Sequence, residues 1–220
     1  IDFLDHDPDH ILMAFSDEDQ FDADIQLVNI NTGRYQKLKR SRYGIQHWYT
    51  DRRGEPRVGQ GLLDRKTEEG AWNLIIRDAD DDKWRDSEEY PGLAPDTRIF
   101  GFTSDPNELI IGDWADKRTL GVYIYDLDKK QVTRKLFHHD SYDAEGLVVD
   151  SEGNVIGARY VADTTETELI GEYDTVLEQL RRRFGDYTVD YIDQSDIAGR
   201  ILFKVSNAYD PGALAVFDGA

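Results

Sequence analysis

A polar turn followed by a short apolar strand recurs along this chain at a nearly fixed interval. The strands begin at residues 11, 56, 109, 155 and 201, which are 45, 53, 46 and 46 residues apart. The turns before them are 7–10, 51–55, 105–108, 150–154 and 196–200, with Asp-Pro or Asp-x-x-Gly patterns. Asp-Pro favours a type I turn, and Asp-x-x-Gly joins a side-chain acceptor to a residue that tolerates positive φ. The interval is that of a four-stranded propeller blade.

The segment 105–136 shows the content of one repeat. Two apolar strands, 109–112 and 122–127, are followed by a turn at 128–130 and a more polar strand from Val132, and the corresponding polar strands of the first two repeats are predicted at 35–39 and 84–87. One further strand precedes each turn, and these strands are predicted at 1–4, 45–49, 99–103, 144–149 and 188–192. We therefore predict an all-β fold, a partial β-propeller of about five four-stranded antiparallel blades. The predicted blades are roughly 1–40, 43–90, 98–139, 142–185 and 187–220 within one domain, 1–220.

One segment departs from the strand pattern. Its apolar residues fall at helical spacing, with basic residues late in the segment, as the helix dipole favours: Tyr173, Val176, Leu177, Leu180 and Phe184, then Arg181 to Arg183. We predict a short helix at about 173–184, in place of the outer strand of the fourth blade. Gly185 is its predicted C-cap.

The first blade looks complete, whereas the last lacks an outer strand. Propellers protect their edges by closing the ring, usually by pairing strands from both chain ends. We therefore predict an open arc whose exposed end faces favour self-association. The chain begins abruptly on an apolar pattern, IDFLDHDPDH, without the regions of a signal peptide, which indicates a fragment or a mature form.

Charge and composition narrow the classes of partner. The formal net charge is -19, from 45 acidic and 26 basic residues, and such a field repels phosphate backbones and anionic lipid. Binding to nucleic acid or to a membrane surface is therefore not expected. The sequence has 0 cysteines, and no apolar run approaches the roughly 20 residues that span a bilayer. We expect a soluble protein of the cytoplasm or periplasm.

The chemistry-bearing residues form no recognisable catalytic motif. No serine has the Gly-x-Ser-x-Gly context of a hydrolase nucleophile, so no catalytic residue is assigned. The five histidines lack zinc spacing and are interpreted as surface or turn residues. Acidic runs at 17–19, 22–24 and 78–82 lack the EF-hand pattern and are interpreted as solvated loops. No metal or cofactor is predicted, and Trp48, Trp72, Trp84 and Trp114 are expected to pack between blades.

The predicted helix carries the candidate substrate-facing residues. Arg181 and Arg182 belong to the one dense basic run, which could hold a substrate carboxylate or a partner domain. Glu172 and Glu178 on the same helix could hold a peptide amine. The alternative is a solvated helix surface.

Several segments resemble the propeller domain of the prolyl oligopeptidase family of serine peptidases, in its acylaminoacyl-peptidase and dipeptidyl-aminopeptidase branch. They are LVNINTGRYQKL with GIQHWYTDRRGEPRVG, LFHHDSYDAEGLVVDSEGNVIGARYVAD, and YIDQSDIAGRILFKVSNAYDPGALAVFD. The first pair is similar to that family's strand–NTG–strand and strand–DxxG–RVG pattern. The last resembles the blade before the linker to the catalytic domain.

The resemblance implies an arc of a seven-bladed propeller and a C-terminal α/β-hydrolase domain that carries the catalytic triad. No triad residue can be placed on this chain. In such enzymes the propeller caps the active site and limits substrates to short peptides. The predicted function is therefore that of a non-catalytic, substrate-gating propeller, inactive by itself, within a serine peptidase. The alternatives are a free-standing propeller that binds proteins or peptides and a five-bladed glycosidase that uses acidic residues.

Overall fold

A computed structural model describes residues 2–4, 6–16, 23–40, 44–62, 72–115, 118–150, 152–195 and 199–218, without the side chains of Asp2, Phe3 and Glu172. The strands are β1 Asp2–Phe3, β2 His10–Phe15, β3 Asp24–Asn29, β4 Tyr35–Lys39, β5 Ile45–Thr50, β6 Pro56–Leu62, β7 Trp72–Arg77, β8 Trp84–Asp86, β9 Arg98–Phe102, β10 Glu108–Asp113, β11 Gly121–Asp126, β12 Gln131–Phe137, β13 Ala144–Val149, β14 Val155–Val161, β15 Thr165–Leu169, β16 Thr188–Gln194, β17 Arg200–Ser206 and β18 Ala213–Asp218. A 3-10 turn, Ser87–Glu89, follows β8, and helix α1 spans Glu172–Phe184.

These strands form five separate sheets in which each strand pairs with its neighbours in sequence. Sheets one, two and three are β1–β4, β5–β8 and β9–β12, and sheets four and five are β13–β15 and β16–β18. The strand pairs whose register is defined are antiparallel. This confirms the prediction of an all-β partial propeller with one short helix. Sheets four and five have three strands rather than four.

The chain divides into two compact units. The first contains residues 1–111 and 124–133, and the second contains residues 112–123 and 134–220. Sheets one and two therefore lie in the first unit, while sheets four and five and helix α1 lie in the second.

The repeated aspartates stabilise their own turns. Asp51 accepts hydrogen bonds from the N–H groups of Arg53 and Glu55 at 3.0 and 3.1 Å. Asp150 accepts a hydrogen bond from the N–H of Asn154 at 2.7 Å, and Asp105 accepts one from the N–H of Asn107 at 2.9 Å. Because each of these carboxylates serves its own turn, their recurrence reflects turn geometry, as the sequence predicted. The equivalent turn at 196–200 lies largely outside the described residues.

Helix α1 packs its apolar face onto sheets four and five. Leu177 and Leu180 are 0% and 7% exposed and join a cluster that includes Val148, Ile156, Leu169, Val189 and Phe203. The helix ends at Gly185, whose φ of 59° suits glycine and whose N–H bonds to the carbonyl of Arg181 at 2.9 Å. The predicted helix and its C-cap are both confirmed.

Two details of the strands differ from the sequence prediction. Strand β15, Thr165–Leu169, was not predicted, because three of its five residues carry polar side chains on the less buried positions. The outer strand of sheet two was predicted over 84–87 but ends at Asp86, where the chain turns into the 3-10 segment. This early end exposes part of β7.

Candidate functional site

The predicted substrate-facing residues lie on helix α1 but do not form one group. Glu178 and Arg182 form an ion pair of 2.9 Å with side chains 54% and 79% exposed. Arg181 instead donates from Nη2 to the carbonyl oxygen of Thr167 on β15 at 2.7 Å. Glu172 is the first residue of the helix, and its side chain lies outside the described set. Arg181 thus joins helix to sheet, whereas Glu178 and Arg182 present charge to solvent.

His138 is more enclosed than the sequence indicated, whereas the neighbouring His139 lies in a turn. The side chain of His138 is 9% exposed, and its Nε2 lies 3.1 Å from the hydroxyl of Thr119. His139 accepts the N–H groups of Ser141 and Tyr142 on Nδ1 at 3.1 and 3.2 Å, and its ring stacks 4.7 Å from that of Tyr160. The expectation of a surface position is therefore wrong for His138, because Thr119 and its surroundings bury the ring. His139 occupies a turn, as predicted.

Aspartates of the acidic run at 78–82 form ion pairs with two arginines. Arg85 pairs with Asp78 at 2.8 Å and also with Asp81, and Arg77 lies 3.4 Å from Asp82. The N–H of Lys83, followed by Arg85, lowers the pKa of Asp81 below its usual value. Asp80 and Asp82 are nevertheless exposed, so the run is a solvated loop as predicted, with ion pairs to Arg77 and Arg85 that the sequence did not indicate. The acidic residues 17–19 and 22 lie outside the described residues.

An opening lies within the first unit, between β4 of sheet one and β5, β7 and β8 of sheet two. It is a cleft of about 910 Å³. The residues that line it include three tryptophans, two bases and two acids: Trp48, Trp72, Trp84, Lys39, Arg40, Asp86 and Glu88. We call this opening the tryptophan cleft. Concave, partly aromatic openings with a few polar groups are where proteins bind small ligands and peptides.

The floor of the cleft is set by strand register. Trp48 is paired with Gly59 on β6, which in turn is paired with Ile75 on β7. A Cβ atom at Gly59 would lie 2.8 Å from the Trp48 ring, so glycine makes room for the indole. Trp48 donates from Nε1 to the carbonyl of Ala23 at 2.7 Å, which ties sheet two to sheet one. The ring is therefore fixed in position.

The three indoles have different environments. Trp84 meets Trp48 edge to face at 5.4 Å, and Lys39 Nζ and Arg77 lie 4.9 and 5.9 Å from its ring centre. Trp72, in contrast, is 41% exposed. Packing between sheets is thus observed for Trp48 and Trp84. It is not observed for Trp72 or for Trp114, which is 50% exposed.

The lining of the cleft offers groups that could bind a ligand. Its acids, Asp86 and Glu88, are exposed, and the side chain of Ser87 is buried without a histidine among the lining residues. An aromatic surface flanked by charges of both signs recognises ligands through stacking and ion pairing. The sequence offers no signal that locates the cleft, because the glycine opposite Trp48 frees space only once β5 and β6 pair.

Two further features are absent from the part of the chain that the structure describes. No group of three or more His, Asp or Glu side chains is placed there to hold a metal ion. No helix in that part of the chain combines the length and the apolar composition that crossing a bilayer requires.

Comparison with known proteins gives similarity at the level of the fold. No protein-family model matches the sequence, and no curated protein matches it. Similar solved structures include TolB from Acinetobacter baumannii (13% identity, TM-score 0.47), the β-propeller domain of the trilobed protease from Pyrococcus furiosus (14%, 0.42) and an acylaminoacyl peptidase bound to a peptide chloromethyl ketone (11%, 0.44). They cover 95%, 96% and 90% of this chain. This chain spans only 51%, 64% and 34% of theirs.

The β-propeller domain of a protease and an acylaminoacyl peptidase are thus among the proteins of similar fold. At identities of 11% to 14%, this similarity concerns the arrangement of sheets and assigns no activity.

Proposed function

We propose that this chain is the non-catalytic, substrate-gating β-propeller portion of a serine peptidase of the prolyl oligopeptidase type. A catalytic α/β-hydrolase domain elsewhere in the full-length protein would carry the triad and would be the principal partner of this chain. Short peptides would be the substrates of the whole enzyme.

The observation that carries the proposal is the fit between the resembling segments and the sheets. LVNINTGRYQKL spans the second half of β3, its turn and most of β4, and Gly33 in that turn has a φ of 70°. GIQHWYTDRRGEPRVG spans β5, the Asp51 turn and the first part of β6, where Gly54 has a φ of 76°. The motif glycines thus occupy the backbone positions that require glycine. This supports a blade-by-blade correspondence with that type of propeller.

The test is a peptidase assay on this chain and on the full-length protein that contains it. We expect the full-length protein to cleave short chromogenic peptides and to leave casein uncut, because the propeller would exclude large substrates. This chain alone should cleave neither. Cleavage by this chain, persisting through repeated purification, would overturn the proposal.

A second candidate function is that of a propeller that binds peptides directly. It is favoured by the tryptophan cleft, where the partly exposed Trp72 lies near charges of both signs. Binding of unlabelled peptides by this chain, measured by calorimetry without any cleavage, would support it.

A further inference from the structure

Strand β8 is too short to cover its neighbour β7. β8 has three residues, and they pair with Ile75, Ile76 and Arg77. Strand β7 begins at Trp72, so Trp72, Asn73 and Leu74 have no partner on β8. The corresponding outer strands of sheets one and three, β4 and β12, have five and seven residues. Sheet two therefore has an incomplete outer edge.

The reason for the early end is local. At Ser87 the chain turns into the 3-10 segment, in which the N–H of Tyr90 bonds to the carbonyl of Ser87 at 2.8 Å. The side chain of Ser87 is buried, and Tyr90 is held by a 2.6 Å bond from its hydroxyl to Asp78. These contacts hold the chain away from the line of β8 after Asp86. Strand β8 therefore does not extend further along β7.

Among the described residues, no strand pairs with the outer edge of Trp72–Leu74. The N–H and C=O groups of a strand point alternately to its two neighbours. Either Asn73, or both Trp72 and Leu74, must therefore direct these groups away from β6. Among the described residues, the backbone groups of these three make no hydrogen bond beyond the strand ladder. Such an edge accepts an additional strand.

The same edge lies on the tryptophan cleft. Trp72, Asn73, Leu74 and Ile75 all line it, opposite Leu38 of β4. Leu74 is 1% exposed, so the strand is anchored in the core, while the Trp72 indole is 41% exposed. A rigid strand edge beside an accessible aromatic ring is the arrangement that β-strand addition uses: main-chain bonds for affinity and a side-chain surface for specificity.

We infer that the tryptophan cleft binds an extended peptide segment, which continues the line of β8 along Trp72–Leu74 and packs a side chain on Trp72. The inference deepens the second candidate function and depends on it. An extended polypeptide fits better than a nucleic acid because the net charge of -19 repels phosphates. It fits better than a sugar because the free capacity is a strand edge, and because the Trp84 ring is already approached by Lys39 and Arg77.

The probe is a fluorescein-labelled peptide of alternating threonine and valine, blocked at both ends, measured by fluorescence anisotropy. We expect Trp72→Ala to weaken its binding at least about tenfold. Trp114→Ala is the matched control, because Trp114 is also exposed, at 50%, and does not line the cleft. It should leave the affinity unchanged. A copy of the peptide methylated on its backbone nitrogens should not bind, because it cannot donate hydrogen bonds to β7.

Hydrogen exchange gives a test that requires no substitution. Bound peptide should slow exchange of an outward amide among Trp72–Leu74 by at least about tenfold. If peptide binds but Trp72→Ala is neutral and β7 amides are unchanged, the inference is overturned while peptide binding stands. Equal binding of the methylated copy overturns strand addition. Absence of binding by any peptide overturns both the inference and the second candidate function, and binding of a free oligosaccharide to Trp72 in its place reassigns the cleft.

Discussion

Directional polar contacts connect sheet two to its neighbours in the first unit, whereas sheets four and five in the second unit share an apolar cluster around helix α1. In the first unit, Trp48 bonds to the Ala23 carbonyl, and Gln60 Nε2 bonds to the carbonyls of Pro95 and Thr97 at 3.0 and 2.8 Å. In the second, Phe203 is fully buried beneath residues of sheet four and helix α1. Both units bury apolar side chains, such as Ile45, Val58 and Ile76 in the first, so the contrast lies in the polar contacts that the first unit adds.

The difference explains where a cleft can exist. A polar contact fixes two groups at one point and leaves the space around it open, so the tryptophan cleft persists beside the Trp48 bond. An apolar cluster gains stability from every surface it removes from water, so it closes gaps. Helix α1 contributes two leucines to that closure where an outer strand would present mostly polar residues.

The apolar cluster should be the most sensitive part of the second unit. Phe203 is 0% exposed and meets Tyr191 edge to face at 6.1 Å. We expect Phe203→Ala to lower the free energy of unfolding by about 4 kcal/mol, from lost burial and a residual cavity. Urea titration followed by near-UV circular dichroism measures this. Val216→Ala is the control, since Val216 is 62% exposed in the same sheet; a similar loss there would contradict the explanation.

The buried ion pair between Arg57 and Asp51 should contribute to the stability of the first unit through its charges. Arg57 is 1% exposed, donates to Asp51 at 3.0 Å and to the Arg77 carbonyl at 2.7 Å, and lies 5.4 Å from the Phe102 ring centre. We expect Arg57→Met to cost about 3 kcal/mol, because it leaves the Asp51 carboxylate buried without its cation.

The double variant Arg57→Met with Asp51→Asn separates charge from packing. An amide at position 51 retains an acceptor for the turn and carries no charge, so the double variant should recover part of the lost stability in the same urea titration. If it is less stable than Arg57→Met alone, the contact is not governed by the unpaired charge.

Much of the fold could be predicted because its signals are local. Asp-x-x-Gly and Asp-Pro turns mark where strands begin, and the spacing of Val176, Leu177 and Leu180 marks helix α1. Strand β15 was missed because the sequence Thr-Glu-Thr-Glu-Leu lacks an apolar run, and only its packing buries Thr167 to 1% exposure. Local sequence carries turn chemistry better than it carries burial.

The tryptophan cleft could not be predicted, because no segment of the sequence contains it. Trp48 and Trp84 meet only through the register of β5 to β8, and the space between them depends on Gly59 in the strand between. The predicted residues of α1 were found on the helix as expected. The sequence did not separate Arg181, which bonds to the Thr167 carbonyl, from the exposed Arg182.

The backbone conformation of Gly185, at the C-terminal end of helix α1, should contribute to the stability of the second unit. Gly185 has a φ of 59°, and a Cβ there would meet no atom within 4 Å, so any cost of Gly185→Ala comes from the backbone. We expect a loss of about 1–2 kcal/mol in the free energy of unfolding. Gly146→Ala is the matched control, since that site is equally open and its φ is not positive. Equal losses would remove the backbone explanation.

A half-buried carboxyl, that of Asp190, gives the second unit a pH dependence. Burial, and then the charge of Glu166, raise the pKa of Asp190 above its usual 3.8, while Lys204 and Arg159 oppose the shift. The folded state therefore binds this proton more tightly than the unfolded chain does, and stability declines as pH rises through the folded pKa. Asp190→Asn should thus gain stability relative to the native protein as the pH rises above the usual carboxyl pKa of 3.8, until Asp190 is fully ionised in the folded state. A constant difference across that range would show that Asp190 ionises normally.

The exposed charges of α1 should contribute least to stability and are therefore the best probes of function. The Glu178–Arg182 pair is largely solvated, so Arg182→Ala should change the free energy of unfolding by less than about 0.5 kcal/mol. Arg181→Ala should cost more, because the Thr167 carbonyl loses its donor. In the full-length peptidase proposed above, a substrate-facing Arg182 would raise KM on substitution with little change in stability. If KM for short peptides is unchanged while Arg181→Ala alters stability, α1 serves only to close sheets four and five.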